Sequence, residues 1–338
     1  MFVRNAWYVA ARPEEIGAEP LRRLICNEPI VFFRTPDGAP AALADRCIHR
    51  RLPLSMGRLV DGHLQCGYHG FKYDRTGKCV WIPGQENIPR RACVRSYPLV
   101  ERFGFTWIWM GDAEAADDSK LPVMPGLDED GWKAFGDHLN VKAHYQLLVD
   151  NLIDLSHESY VHTSSIGNDQ VAETPIEVRR EGEEVFVDRV MCDIPPPPFF
   201  AEAAGNGANV DRYQLVHFQP PCYVHVEVRT VPPGSNDPNG GIRFYVLDAL
   251  TPETDSTTNY FWAVSRNFKT DDQEFSKWWH GVVCNIFDED RAVFEAQQRS
   301  IETDDGGVRV VDVGIDGGTV LARRVVDEHL VREGAVPA

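Results

Sequence analysis

The pair Cys47-Ile-His49 and, after sixteen intervening residues, the pair Cys66-Gly-Tyr-His69 decide the predicted fold of the first third of the chain. Each pair places a thiol and an imidazole close enough for one tight loop to present both, so the two pairs supply four ligands to one metal centre. Zinc held by two cysteines and two histidines is one interpretation. The other is an iron–sulfur cluster in which one iron takes both thiolates and the other takes both imidazoles.

Two features favour the iron–sulfur cluster. Both pairs run cysteine first and histidine second, which suits a cluster with a different ligand type on each iron. Pro53 and Gly67 flank the loops, as suits backbone amides turned toward cluster sulfurs. Short apolar runs alternate with turn signals throughout this region, so residues 1–118 are predicted to form an all-β domain with a [2Fe–2S] cluster. Its expected ligands are Cys47, His49, Cys66 and His69.

The composition limits the class of protein. A chain of 338 residues exceeds the size at which one hydrophobic core keeps growing, so two domains are expected. The net charge of −17 argues against nucleic acid, which requires a basic surface. No run approaches the roughly 18 apolar residues of a membrane span, and the start lacks a secretory signal, so we expect a cytoplasmic protein with no membrane association.

The cysteines outside the two pairs are predicted to be small buried residues. They are Cys26, Cys79, Cys93, Cys192, Cys222 and Cys284.

Residues 119–338 have a different pattern. Several segments between Trp132 and Val264 have the composition of strands. Helices are predicted at 144–162, at about 272–300 and at about 318–331. Strands followed by helices indicate an α+β domain in which helices flank a large antiparallel sheet.

Two histidines of the first predicted helix are candidate metal ligands. His157 and His162 are five residues apart, which on a regular helix is about 140° away from a common face. Both therefore reach one metal only if the helix ends, kinks or bulges between them. Non-haem iron(II) that activates oxygen is typically held by two histidines and one carboxylate.

The carboxylate is expected on the helix at 272–300. Asp290 interrupts an inward apolar stripe, whereas Asp288 and Glu289 fall on flanks nearer to solvent. The stripe is formed by Val283, Ile286, Val293 and Gln297. A buried aspartate needs a partner, and a metal supplies one. The alternative is a helix cap or an ion pair with an arginine such as Arg291.

These motifs resemble the oxygenase component of Rieske non-haem iron oxygenases, in the group that contains vanillate and dicamba O-demethylases. The resemblance runs from Phe2 to Gln297, and we find none beyond about Glu302. By position, it implies that a mononuclear iron(II) is held by His157, His162 and Asp290. It also implies that Asp154 links the Rieske centre of one subunit to the iron of its neighbour. Asp154 lies three residues before His157, so its carboxylate is expected to accept a hydrogen bond from that imidazole.

The resemblance further implies an activity and its partners. A separate flavin and iron–sulfur reductase would deliver electrons from NADH or NADPH, and O2 would oxidise a C–H bond of a small aromatic substrate. In this family the two metal centres of one subunit are too far apart for electron transfer, so a head-to-tail homotrimer is expected. The expected reaction is O-demethylation of a vanillate-like methoxylated aromatic acid, which gives a phenol and formaldehyde.

Two other functions stay open. Methyl-group hydroxylation of an aryl sulfonate uses the same metal motifs. A Rieske electron carrier with an inert second domain would hold about two irons per chain, against about three for an oxygenase. Asp248 is the best candidate for a substrate contact, because it could accept a hydrogen bond from a phenol. Further candidates for a pocket wall are His217, Tyr245 and Trp262.

Overall fold

The structure is a computed structural model that describes residues 1–205, 207–235, 237, 241–306 and 310–335. The chain divides into two compact units. The first contains Met1–Leu121 and Thr251–Asp255, and the second contains Pro122–Leu250 and Ser256–Ala338. Among the described residues, no helix combines the length and the apolar character needed to cross a bilayer.

Three small antiparallel sheets build the first unit. Its strands are β1 (Trp7–Ala11), β2 (Leu21–Ile25), β3 (Glu28–Arg34), β4 (Pro40–Ala44), β5 (Arg58–Val60), β6 (His63–Gln65), β7 (Lys72–Tyr73), β8 (Cys79–Trp81), β9 (Leu99–Arg102) and β10 (Phe105–Trp109). They are ordered β1-β10-β9, β2-β3-β4 and β5-β6-β7-β8. Buried Val31, Leu64 and Tyr73 share one core with Cys47 and Cys66, so the loops that carry the two cysteines are anchored in the interior.

A seven-stranded antiparallel sheet forms the centre of the second unit. Its strands are β11 (Lys133–Val141), β12 (Glu177–Glu181), β13 (Glu184–Ile194), β14 (Val210–Gln219), β15 (Tyr223–Val231), β16 (Ile242–Thr254) and β17 (Thr257–Arg266). The order is β11-β17-β16-β15-β14-β13-β12. Val226 pairs with Val246, and Val228 pairs with Phe244. Because side chains alternate along a strand, these four share one face of the sheet and Tyr245 lies on the other.

Helices of the second unit are α1 (Tyr145–Ile153), α2 (Glu158–Val161), α3 (Asp169–Glu173), α4 (Pro198–Ala204), α5 (Gln273–Glu302) and α6 (Gly317–Arg332). The predicted α+β fold class is confirmed. Helix α4 was not expected, because it follows a proline run that reads as extended chain. Pro198 nevertheless stands at its first position, where a missing amide costs nothing.

The buried face of α5 shares only Val283 and Asp290 with the predicted stripe. Phe287 is buried where Ile286 was expected, and Gln298 is buried where Gln297 was expected. Val283 and Asp290 are buried, but Val293 is 41% exposed and Phe294 is buried in its place. Helical periodicity of 3.6 permits either neighbour to continue the face, and the larger aromatic ring is the one that packs inward.

Of the six cysteines outside the two pairs, only three are buried as predicted. Cys93 and Cys192 are exposed, and Cys284 is half-buried. Cys192 follows buried Met191 on β13, so the alternation of the strand turns it outward. The buried ones are Cys26, Cys79 and Cys222.

Candidate metal centres

The two cysteine–histidine loops of the first unit have equivalent backbone geometry. The amide of Cys47 donates to the carbonyl of Leu52, and the amide of Cys66 donates to that of Phe71. Arg51 and Gly70 donate back to the two cysteine carbonyls, and both have positive φ (59° and 74°). Each loop therefore turns its cysteine inward and leaves the following histidine outside.

The four side chains of these loops fit a Rieske cluster. Cys47 and Cys66 are 2% and 3% exposed, and the Tyr73 hydroxyl lies 3.2 Å from Cys47 Sγ. Burial raises the pKa of the Cys66 thiol, and Cys47 beside it adds to the effect. The rings of His49 and His69 are exposed, with centroids 4.5 Å apart. Two inner thiols and two outer imidazoles suit a cluster whose irons take different ligands.

In the second unit, His157, His162 and Asp290 converge and form what we call the histidine–carboxylate cluster. One donor atom from each lies within 4.8 Å of the others. Asp290 Oδ1 is 3.1 Å from His162 Nε2 and 3.7 Å from His157 Nε2. Neither Asp290 Oδ1 nor His162 Nε2 has a hydrogen-bond partner among the described residues, although both are buried. Such atoms are costly unless a ligand satisfies them, and this donor set is the one that iron(II) takes in oxygenases.

The end of the short helix α2 explains how two histidines five residues apart reach one site, because His162 follows its last residue and leaves helical geometry (φ −110°, ψ 33°). Helix α1 ends at Ile153, and Asp154 adopts extended backbone angles (φ −104°, ψ 91°). A 3-10 turn leads through His157 into α2, which ends at Val161. The expected helix end between the histidines is confirmed at Val161. The single helix predicted over 144–162 is wrong, because Asp154 breaks it before both histidines.

Asp154 contacts His157 through its main chain. Its carbonyl lies 2.7 Å from His157 Nδ1, whereas its carboxylate accepts from the amide of Ser156 at 3.0 Å. The expected bond between the carboxylate and the imidazole is therefore wrong, because the carboxylate caps the next turn. A hydrogen bond from Nδ1 leaves Nε2 of His157 as the ligand atom.

Glu289 is a site residue that sequence reasoning missed. Its Oε2 lies 2.7 Å from His162 Nδ1. Burial alone lowers the pKa of His162, but Asp290 and Glu289 outweigh it and raise the pKa to about 9. The only signal in the sequence is adjacency to Asp290, since a flank position on α5 does not reveal which element the side chain contacts.

A buried polar network joins α2 to strand β14. Glu158 accepts from Arg212 Nη2 at 2.9 Å and from Gln214 Nε2 at 2.8 Å, and all three side chains are buried. Gly167 packs so closely that a Cβ there would lie 1.9 Å from the Glu158 carbonyl. The network and the glycine fix the short helix between the two histidines, and neither carries a recognisable sequence signal.

An apolar cavity ends at the histidine–carboxylate cluster. Its polar lining besides the cluster consists of Asn151, Glu158 and Arg212, among the described residues. Its apolar lining consists of Leu152, Leu155, Ile166, Phe199, Phe200, Val226, Val228, Phe244, Val246, Val264, Trp279, Val283, Ile286 and Phe287. The walls suit an aromatic ring held next to the three ligands.

The four predicted wall residues are not part of this lining, as far as the described residues define it. His217 and Tyr245 project from the opposite face of the sheet. Asp248 is completely buried and accepts from the Tyr260 hydroxyl at 2.9 Å, and burial raises its pKa to about 8. A substrate contact by Asp248 stays a prediction, without support from its position.

Each of the two units matches a known protein family. Residues 6–98 match the Rieske [2Fe-2S] domain, and residues 141–332 match the vanillate O-demethylase oxygenase C-terminal domain. The second match extends past Glu302, where sequence analysis found no resemblance.

Relatives cover nearly the whole chain. The vanillate O-demethylase oxygenase subunit of a Pseudomonas species is 40% identical over 98% of this chain and 96% of its own. The toluene-4-sulfonate monooxygenase system iron-sulfur subunit of Comamonas testosteroni is 34% identical over 98% of each chain. The crystal structure of dicamba monooxygenase bound to 3,6-dichlorosalicylic acid has a TM-score of 0.94 and 35% identity, over 99% of both chains.

A Rieske domain followed by a domain with a two-histidine, one-carboxylate cluster defines an oxygenase that depends on a [2Fe–2S] cluster and mononuclear iron. The chain belongs to the Rieske non-haem iron oxygenases, with a catalytic domain of the vanillate O-demethylase type. The predicted family, enzyme class and cofactors are confirmed, and an oxygenase component of this kind works with a separate reductase.

Proposed function

We propose that the protein is the terminal oxygenase of a monooxygenase that removes the methyl group of a methoxylated aromatic acid. The observation that carries the proposal is the apolar cavity ending at His157, His162 and Asp290, in a chain with 40% identity to a vanillate O-demethylase subunit.

The proposed roles follow the two units. Residues 1–118 hold the [2Fe–2S] cluster, and residues 119–338 hold the iron. The first set of ligands is Cys47, His49, Cys66 and His69, and the second is His157, His162 and Asp290. When bound, the iron supplies activation of O2 for oxidation of a substrate C–H bond.

The residues of the chain position the proposed iron ligands and the substrate, and they exclude water. The Asp154 carbonyl and the Glu289 carboxylate orient the two imidazoles from behind. Aromatic walls such as Phe199 and Phe244 hold the ring of the substrate. They exclude water from the methyl group, which limits side reactions.

The proposed reaction requires two electrons, which come from outside the chain. Hydroxylation of the methyl carbon gives a hemiacetal, which collapses to a phenol and formaldehyde. One O2, two electrons and two protons are consumed, and one water is released. NADH or NADPH supplies the electrons through the reductase, so we also infer that the enzyme works in the cytoplasm, where these cofactors are available.

We further propose a closed head-to-tail homotrimer in which Asp154 carries the electron path from one subunit to the next. Asp154 lines a groove beside His157, together with Asp150 of α1 and Arg323 of α6. A groove that opens next to a ligand histidine offers a neighbouring subunit access to the iron without entering the substrate cavity.

The deciding experiment incubates the holoenzyme with a reductase, NADH and a panel of methoxybenzoates, while formaldehyde and O2 uptake are recorded. We expect stoichiometric formaldehyde and about three irons per chain. A His157→Ala variant serves as the matched control and is expected to make none. Toluene-4-sulfonate is included in the panel. Its conversion to an alcohol without formaldehyde from any methoxybenzoate would assign methyl hydroxylation instead, and two irons with no substrate-dependent O2 uptake would assign an electron carrier.

A further inference from the structure

A second group of metal-binding side chains lies between β11 and α5, apart from both proposed centres. Donor atoms of Asp137, His280 and Cys284 lie within 4.8 Å of one another. His280 Nε2 is 3.6 Å from Asp137 Oδ2, and its Nδ1 is 3.6 Å from Cys284 Sγ. His280 and Cys284 are four residues apart on α5, which places them on one helical face.

We propose that these three residues form a site for a zinc-like divalent cation that holds α5 against β11. A thiolate, an imidazole and a carboxylate are the three donors that zinc takes in proteins, with water able to complete the coordination. Magnesium and calcium prefer oxygen ligands alone, so the thiol of Cys284 selects against them. The histidine–carboxylate cluster contains no sulfur donor, and the two sites therefore differ in the metal they favour.

The structure already holds two of the three proposed ligands, His280 and Cys284, in place. The ring of His280 packs against Phe135 and Trp262, with centroids 5.7 and 5.5 Å apart. Cys284 is half-buried, whereas the Asp137 side chain is 52% exposed. A cation thus needs to recruit only the carboxylate, because packing has already fixed the imidazole and the helix has fixed the thiol.

The position of the site links it to the substrate cavity. Trp262 contacts Phe287, with ring centroids 5.3 Å apart, and Phe287 lines the cavity. The same helix carries Asp290. A cation that fixes the first half of α5 therefore stabilises the helix that supplies one cavity wall and one proposed iron ligand.

Cobalt(II) is the probe that separates this site from the others. It is titrated into the holoenzyme, and the thiolate-to-cobalt charge-transfer absorption is recorded as a difference spectrum. Cys47 and Cys66 are already committed to the cluster, so a new band reports a different thiol. We expect one equivalent of Co2+ to produce the band, and Zn2+ to abolish it.

Three variants test the ligands. Cys284→Ser is expected to remove the band. Asp137→Asn is expected to weaken Co2+ binding by at least about tenfold, since loss of a direct ligand costs no less than loss of a partner behind one. Cys192→Ser removes an exposed cysteine on β13 and is expected to change nothing. Zn2+ is also expected to raise the Tm of the wild type more than that of Cys284→Ser. No band in the wild type, the same band in Cys284→Ser, or equal Tm shifts would each overturn the proposal.

Discussion

His162 has a different carboxylate at each nitrogen of its ring. Nε2 faces Asp290 inside the cluster, and Nδ1 lies 2.7 Å from Glu289. The outer carboxylate fixes the orientation and tautomer of the ring, so that Nε2 is free to bind metal. Such outer partners orient the ligands and tune their affinity for the metal.

We therefore expect Glu289→Ala to weaken iron binding by about 10–100-fold while the Rieske cluster stays intact. Iron affinity of the depleted protein and the electron paramagnetic resonance signal of the cluster measure the two effects separately. Asp288→Ala is the matched control, because Asp288 is exposed and pairs with Arg291 on the surface. Equal iron affinity in the two variants would show that Glu289 has no such role.

The raised pKa of His162 makes the iron-free protein sensitive to pH. A folded-state pKa of about 9, against an ordinary 6.5, means that the protonated ring adds stability below pH 6.5 and that this contribution is lost as pH rises through 9. We expect the free energy of unfolding of the iron-free protein to fall between these values. The iron-loaded protein should show no such loss, because a metal-bound Nε2 holds no proton.

Iron affinity is expected to rise over the same pH interval, since binding must displace that proton. Denaturant unfolding and iron titration between pH 6 and 9.5 measure both trends. A flat affinity across this range would contradict protonation of His162 in the iron-free state.

At the scale of single residues, residue type, periodicity and the family resemblance pointed to the proposed ligands but not to their partners. Asp290 was recognisable because it interrupts an apolar stripe. Glu289 and the Glu158–Arg212 pair were not, because their contacts join elements that are distant in sequence. Asp154 shows the remaining difficulty. Its place three residues before His157 predicted a contact with that imidazole, but only the structure reveals that the carbonyl makes it and the carboxylate does not.

At the scale of elements, the short segment between α1 and α3 is held by close backbone contacts. The amide of Gly167 donates to the His162 carbonyl at 3.0 Å, and its Cα faces the Glu158 carbonyl. A methyl group there has no room, since the neighbouring atoms belong to backbone and cannot rotate away. The conformation that brings both histidines to one point thus depends on this glycine.

We expect Gly167→Ala to destabilise the protein by about 1–3 kcal/mol, the usual cost of overpacking, and to lower its iron content. Gly281→Ala is the matched control, because a Cβ at Gly281 on α5 meets nothing within 4 Å. That change should stabilise the protein by about 0.5–1 kcal/mol through helix propensity. Denaturant unfolding and iron analysis of both variants provide the measurement, and normal iron content in Gly167→Ala would contradict the role of the close contact.

The strands of the second unit and its two long helices could be predicted from the sequence, whereas the break at Asp154 and the short helix α4 could not. Strands β11 to β17 alternate strongly enough to be recognised, and α5 has a long apolar face that Asp290 interrupts. The break at Asp154 lies inside a segment whose apolar residues keep helical spacing, so periodicity alone favours one helix. Helix α4 begins at a proline, which sequence rules treat as a breaker except at the first turn.

For the whole molecule, the role of Asp154 can be tested without disturbing its cap. Asparagine caps helices as well as aspartate does, so Asp154→Asn should keep the turn at Ser156 and both metals. We expect turnover to fall by at least about tenfold through loss of the charge at the groove. Metal analysis and NADH-coupled turnover measure the two properties, and full activity would reject Asp154 as the electron path.

The assembly itself is tested by combining two inactive chains. His69→Ala removes one exposed cluster ligand, and His157→Ala removes one proposed iron ligand, so neither chain alone has both centres. In a closed ring of three, every mixed trimer contains one adjacent pair in which an intact cluster faces an intact iron site in the productive direction. Co-expressed, doubly tagged and tandem-purified mixed trimers should therefore recover about one third of the wild-type turnover. Trimers that combine two differently tagged His157→Ala chains are the control and should stay inactive. If electrons instead pass within one chain, the mixed trimers will also be inactive, because no chain in them carries both centres.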